Sequence, residues 1–333
     1  MFKFIIILTI FQFILLISLN HLAYKFNFLD YPNKRKIHGY PIPYIGGLSL
    51  GLFYTLNVFI NKSEFQFLNL ILMYSMIIVI VGLIDDKIDI NPILKIFLQS
   101  ITIYILISNG IYLSDLGTYD YIGTINLGNY GQIFSFLCCL LIINAFNYTD
   151  GIDGLLSTLF INIFIFFIIF CYISGNTSEA KFLFFFIIPV LIFLLFNFSI
   201  FNLPKIFLGD SGSNLLGYLT GFTMIFLYKK TLISPSLLIW PVALIIFEFL
   251  STNILRILSK KNIFHSGNDH LHYQIKKIYN LDTLGINLIF NSINIILSLF
   301  GFSIYFLLGS LFSLVGFILV FLIYLLIKIF YIK

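Results

Sequence analysis

A helix needs about 20 apolar residues to cross a bilayer. This chain supplies such runs eleven times, near 2–22, 44–61, 66–84, 93–110, 130–147, 155–174, 181–198, 212–228, 234–255, 284–306 and 309–330. Short polar clusters separate them. With 60% hydrophobic residues, 41 Phe, only 10% charged residues and a mean hydropathy of +1.03, the sequence describes an all-α polytopic integral membrane protein of about 10–11 transmembrane helices, not a soluble domain. We read 1–333 as a single membrane domain, with the distinctive clusters in 30–275 and two plain helices in 284–330, where only the Gly309-Ser310 step marks a turn. The first run is long, has only Lys3 ahead of it and lacks a small-residue cleavage site, so it is expected to stay as a helix. Cys138, Cys139 and Cys171 fall inside predicted spans without metal-like spacing and are expected to pack.

Cytoplasmic loops carry the excess of Lys and Arg. One set of alternate loops, with the C-terminus, holds fourteen of these residues, and the opposite set, with the N-terminus, holds five. The expectation is an N-terminus outside and a C-terminus inside. This topology places the basic stretch 31–43, the acidic pair at 85–86 and the loops at 144–154, 205–213 and 256–283 together on the cytoplasmic face.

Carboxylates packed against membrane spans are costly and usually line a polar site. Asp85 and Asp86 leave an apolar helix side by side, and their repulsion calls for a divalent cation, a nearby base or a shared proton. Taken alone, the pair reads equally as a solvated helix cap. In Asn147-Tyr-Thr-Asp150-Gly151-Ile-Asp153-Gly154, two glycines allow tight turns that can bring both carboxylates to one point. In Phe207-Leu-Gly-Asp210-Ser-Gly-Ser-Asn214, small residues at a helix start expose backbone amides suited to an anion, and Asp210 can hold a magnesium ion bridging phosphate oxygens. That combination fits a nucleoside diphosphate better than a transported cation. His270 and His272, at i and i+2, do not share a helix face, which argues against zinc and leaves phosphate contact or loop structure. The run Lys34-Arg35-Lys36-Ile37-His38 can serve as topogenic charge or meet anionic lipid.

These clusters resemble a family pattern when taken in order. Asp30-Tyr-Pro-Asn33-x-Arg35-x-x-His38 with Pro43-x-x-Gly46-Gly47, then GLIDDKIDI at 82–90, NAFNYTDGIDGL at 144–155, IFLGDSGSNLLGY at 206–218 and HLH at 270–272 match the polyprenyl-phosphate N-acetylhexosamine-1-phosphate transferases. The chain resembles the bacterial undecaprenyl-phosphate sugar-1-phosphate transferases that start O-antigen and related surface polysaccharides, relatives of the phospho-N-acetylmuramoyl-pentapeptide transferase. The likeness covers about 30–275.

The resemblance implies a place in the bacterial inner (cytoplasmic) membrane, cytoplasmic active-site loops and a reaction between a UDP-N-acetylhexosamine, for example UDP-GlcNAc, and undecaprenyl phosphate, with release of UMP. The lipid phosphate oxygen attacks the sugar-bearing phosphorus. It implies a magnesium cofactor, with manganese as the alternative ion. By motif position Asp210 is the main metal ligand, Asp86 belongs to the metal and phosphate shell, and Asp85 takes the proton from the lipid phosphate. Asn147, Asp150 and Asp153 meet the nucleotide, and Phe207 stacks on uracil. His270 and His272 contact phosphate or assist lipid-phosphate binding, as Lys34, Arg35 and His38 do in a lesser way. The expected partners are the two substrates and the bilayer; no nucleic acid is expected, and a second copy of the chain is a candidate.

This sequence departs from the pattern in its His loop, where Gly267 replaces the usual Asp and Tyr273 the third His. The segment 197–206 is about three residues longer than the common form, which leaves Asn197 and Asn202 as alternatives for facing the nucleotide. Glu248, inside the ninth span, is expected to pair with Asn253, Arg256 or a backbone group. The rival readings are a cation-coupled transporter, which calls for mid-membrane carboxylates and paired broken helices absent from the sequence, and a family member with a decayed site.

Overall fold

Each of the eleven apolar stretches forms helix in the computed structural model, which describes residues 2–32, 39–60, 66–262 and 271–331. α1 (Phe2–Phe26) leads to a short antiparallel pair, β1 (Leu29–Asp30) with β2 (Ile42–Pro43). Then follow α2 (Gly46–Ile60), α3 (Gln66–Ile88) and α4 (Pro92–Ser108), a hairpin of β3 (Asp115–Tyr119) and β4 (Gly123–Asn126), and α5 (Gly131–Thr149), α6 (Leu155–Ile173), α7 (Thr177–Asn197) and α8 (Gly209–Thr231). The chain ends with the short α9 (Pro235–Leu238), α10 (Ala243–Leu258), α11 (Leu271–Tyr279), α12 (Thr283–Leu308) and α13 (Ser310–Tyr331). Eight helices among the described residues are long and apolar enough to span a bilayer, so this is a multi-pass membrane protein.

Two local features were not visible in the pattern. The stretch 234–255 is one span, as expected, but it is not a regular helix: it runs through α9, a 3₁₀ turn at Trp240–Val242 and α10, because Pro241 cannot donate to a continuous helix. The hairpin between α4 and α5, at the end of the bundle away from the acidic clusters, was not anticipated. Tyr228 at the end of α8 donates a hydrogen bond to Asp115 at the start of that hairpin.

α8 is the central helix. It packs against α2, α3, α5 and α6, and its residues from Ser211 to Thr223 are all buried. Its small-residue start lets backbones meet without intervening side chains. A Cβ on Gly47 would lie 2.0 Å from the Gly212 nitrogen, and one on Gly82 would lie 2.3 Å from Ser211 Cα. The Gly46 and Gly47 amides, orphan donors at the start of α2, bond the carbonyls of Phe207 and Leu208 at 3.0 and 2.9 Å. The Pro-x-x-Gly-Gly stretch therefore clamps the entry into α8. Gly82→Ala is expected to destabilise the protein by about 1–3 kcal/mol, since the added methyl meets backbone and cannot be relieved by a rotamer change. Thermal unfolding in detergent measures the loss, and an unchanged midpoint would contradict the close packing of α3 on α8.

Candidate active site

The C-terminal ends of α3 and α5 and the N-terminal ends of α4, α6 and α8 converge at one end of the bundle. α3 delivers Asp85 and Asp86 in its last turn. The chain then turns through Asp89, at φ +50°, and Asn91, whose side chain accepts the Ile93 amide at 2.9 Å. Asn91 caps α4, and Pro92 occupies its first position, where no donor is needed. This tight turn puts Lys95, inside the first turns of α4, against the acidic end of α3.

Lys95 is the hub. Its Nζ lies 2.7 Å from Asp85 Oδ2 and 2.5 Å from Asp210 Oδ2, and it donates to Asn147 Oδ1 at 3.3 Å. Asn147 in turn donates to Asp210 Oδ1 at 3.0 Å and Ser213 Oγ at 2.9 Å. Below this knot Asn144 donates to Gln99 and Gln99 to Asn214, continuing the polar chain into the bundle. Asp85 also accepts the Ile90 amide at 3.0 Å. Asp86 accepts the amides of Asp210 at 2.8 Å and Ser211 at 3.2 Å, one on each oxygen. It thereby caps α8 from a neighbouring helix and opposes the positive end of its dipole. Gly209, at φ +72°, makes that approach feasible, because a Cβ there would lie 2.7 Å from Asp86 Oδ2.

A cavity of about 590 Å³ opens beside this knot, walled in part by Asp86, Asp150, Asp153, Asp210, Lys205 and Phe207. Asp85 and Lys95 are not among its lining residues and stand behind Asp210. Lys205 pairs with Asp153 at 2.6 Å and holds its ammonium 5.5 Å from the centre of the Phe207 ring. Asp150 follows α5 directly, and its carboxyl is held well above the usual carboxylate range by burial, then by the charges of Asp210, Asp86 and Asp153.

The structure thus brings Asp85, Asp86, Asn147, Asp150, Asp153, Phe207 and Asp210 to one end of the bundle. Lys34, Arg35, His38 and His270 lie outside the described residues, as do Gly267 and the side chains of His272 and Tyr273. Of the two asparagines left as alternatives, Asn197 lines the cavity and donates to the Ile206 carbonyl at 2.8 Å, while Asn202 is exposed in a 3₁₀ turn with Phe201 and Asn202 at positive φ. Glu248 accepts a backbone amide, as one expectation had it, but its charged partner is Lys328 and not Arg256, which donates to Tyr148 Oη at 3.0 Å.

Sequence reasoning missed Lys95, Lys205 and Lys328. Lys95 and Lys328 were counted as loop charges although both are buried in helices. A usable signal was present for Lys95: an Asn-Pro helix start, which puts a lysine three residues after the proline into the first turns of the helix.

The donor set can be tested against the magnesium ion that the resemblance implies. Among the described residues no three acidic, His or Cys side chains converge as a ready cage. Mg²⁺, however, ordinarily takes one or two carboxylates and completes its shell with water and phosphate oxygens. Asp210 and Asp150 supply such hard oxygens on the cavity wall.

The sequence model of glycosyl transferase family 4 matches residues 68–228, which hold Asp85, Asp86, Lys95, Asn147, Asp150, Asp153 and Asp210. The chain is 30% identical over 305 residues to the undecaprenyl-phosphate alpha-N-acetylglucosaminyl 1-phosphate transferase of Thermotoga maritima, covering 89% of this chain and 88% of that protein. Proteins of the same name from Yersinia pestis and Escherichia coli K12 are each 29% identical, over 82% and 77% of this chain and 76% and 71% of their own lengths. With its family-matched segment supplying the acidic knot and a relative aligned along most of both chains, this protein belongs to glycosyl transferase family 4.

Proposed function

We propose that this protein transfers N-acetylhexosamine-1-phosphate from a UDP-sugar to undecaprenyl phosphate, releasing UMP and starting a lipid-linked surface polysaccharide such as O-antigen. The observation that carries this reading is the acidic knot of Asp85, Asp86, Asn147 and Asp210 around Lys95, beside a cavity large enough for a nucleotide sugar, in a chain whose relatives bear that activity in their names. The site faces the cytoplasm of the inner membrane, with the N-terminus outside. Taking the buried Lys95, Arg256 and Lys328 out of the loop count leaves eleven basic residues against five, which supports the same orientation.

Transfer brings two anions together, so the site must offset several negative charges. Asp210 and Asp150 would hold Mg²⁺, which supplies charge neutralisation at the phosphates. Lys95 holds Asp210 and Asp85 in register and keeps their charge balanced. Asp86, committed to the amides of α8, fixes where Asp210 points. Phe207 offers a ring for the base at the cavity wall, and Lys205 ties Asp153 to the same wall. A phosphate monoester with a second pKa near about 6 is already mostly dianionic at neutral pH. Asp85, outside the cavity lining and paired with Lys95, is therefore not needed as a direct proton acceptor and instead helps fix Lys95 against Asp210.

Membranes containing the protein, incubated with radiolabelled UDP-N-acetylhexosamines and undecaprenyl phosphate, are expected to give labelled lipid and UMP only with magnesium or manganese present. Absence of both products from every donor would sink the assignment.

A further inference from the structure

The last helix carries a buried cation that the chemistry above does not use. Lys328, near the end of α13, and Glu248 on α10 have side chains 3% and 6% exposed, with Nζ 2.7 Å from Oε2. Tyr324 Oη also donates to Oε2 at 2.7 Å, and Lys328 donates further to Thr252 Oγ1 at 2.7 Å and Ser251 Oγ at 3.2 Å. With Oε2 held from α13, Oε1 is turned to accept the backbone amide of Leu271 at 2.8 Å. Leu271 is the first described residue of α11, so this carboxylate holds the described beginning of that helix. α11 in turn brings Lys276 to the wall of the cavity, beside the acidic loops.

We propose that Glu248 and Lys328 form a positioning device, in which the last helix of the bundle fixes the start of α11 and so sets the place of Lys276 at the site. Neither residue touches the cavity. A buried ion pair often tethers helices without any effect on chemistry, and the same pair could do no more than hold α13 in place. What separates the two roles is the Leu271 amide: a tether needs only Oε2, whereas positioning needs Oε1 on α11. The inference rests on the transferase reading only through the turnover assay.

The test compares the full-length protein with Lys328→Met, Lys328→Arg and Ser313→Ala. Ser313 accepts the Trp240 indole N–H at 3.0 Å and anchors α13 far from Glu248. Without substrate, hydrogen exchange of the 271–276 amides is expected to speed up about tenfold or more in Lys328→Met and to stay near native in Ser313→Ala. Turnover in Lys328→Met is expected to fall by about ten- to a hundredfold, as for a misplacement of about 1 Å at a site, with Lys328→Arg recovering most of both readouts. Native exchange in Lys328→Met, or equal acceleration in Ser313→Ala at a matched loss of melting temperature, would overturn the positioning role. Should the native protein itself turn over no donor, the transferase reading fails, while the exchange comparison still decides the positioning.

Discussion

Asp210→Asn is expected to lower turnover by a factor of about a thousand while the protein stays folded in the membrane, the scale seen when a preorganised electrostatic group is lost from an active site. Asp210 is where three contacts converge: the Lys95 ammonium on Oδ2, the Asn147 amide on Oδ1 and, through its own backbone N–H, the Asp86 carboxylate. The amide side chain keeps the size and can still accept from Asn147, so α8 retains its start and its cap. What it loses is charge. The proposed magnesium site is left with Asp150 alone on the cavity wall, and the half-saturating magnesium concentration should rise along with the fall in turnover. Turnover within tenfold of native would remove Asp210 from its assigned place.

Lys95→Met is expected to be nearly as damaging to turnover, by about a hundredfold or more, but with the opposite sign in metal dependence. Lys95 is the cation between Asp85 and Asp210, with its side chain 11% exposed and that of Asp85 9% exposed. Removing one member of such a pair leaves an uncompensated buried carboxylate, which typically costs about 3–5 kcal/mol. The variant should therefore melt lower as well. Because the ammonium occupies Asp210 oxygens that a divalent cation would also use, its loss should let magnesium bind at lower concentration even as turnover falls. A variant in which magnesium demand rises, as in Asp210→Asn, would show that Lys95 does not compete for those oxygens. Measuring rate against magnesium concentration in both variants separates the two residues without relying on activity alone.

Much of the architecture was legible because membrane helices announce themselves one at a time. The hydrophobic run is local, and lipid forces each run to satisfy its own backbone. The two irregularities that the pattern did not show have local causes too. Pro241 interrupts the regular helix inside one span with a 3₁₀ turn, and the 115–126 hairpin hides in a polar loop with no apolar face to pattern it. The acidic members of the site were legible for a related reason: a carboxylate beside a membrane span stands out against its background. Lysines did not stand out, because the positive-inside rule gives every cytoplasmic lysine a reason to exist before any contact is considered.

The sequence by itself determined the class, the helices, the acidic clusters and, through their order, the family. All of these depend on the kind of residue and its neighbours along the chain. Only the tertiary structure decided which charges meet. It took Lys95 and Lys328 out of the loops and gave them partners 115 and 80 residues away, at Asp210 and Glu248. It also gave Asp86, on the cavity wall, the amides of Asp210 and Ser211 to cap at the start of α8. The reason is physical: a pattern along the chain records how often a side chain meets lipid, whereas an ion pair depends on two helix ends arriving within about 4 Å of each other. That distance is set here by glycines at 47, 82 and 209, where the absence of a side chain lets one backbone rest on another.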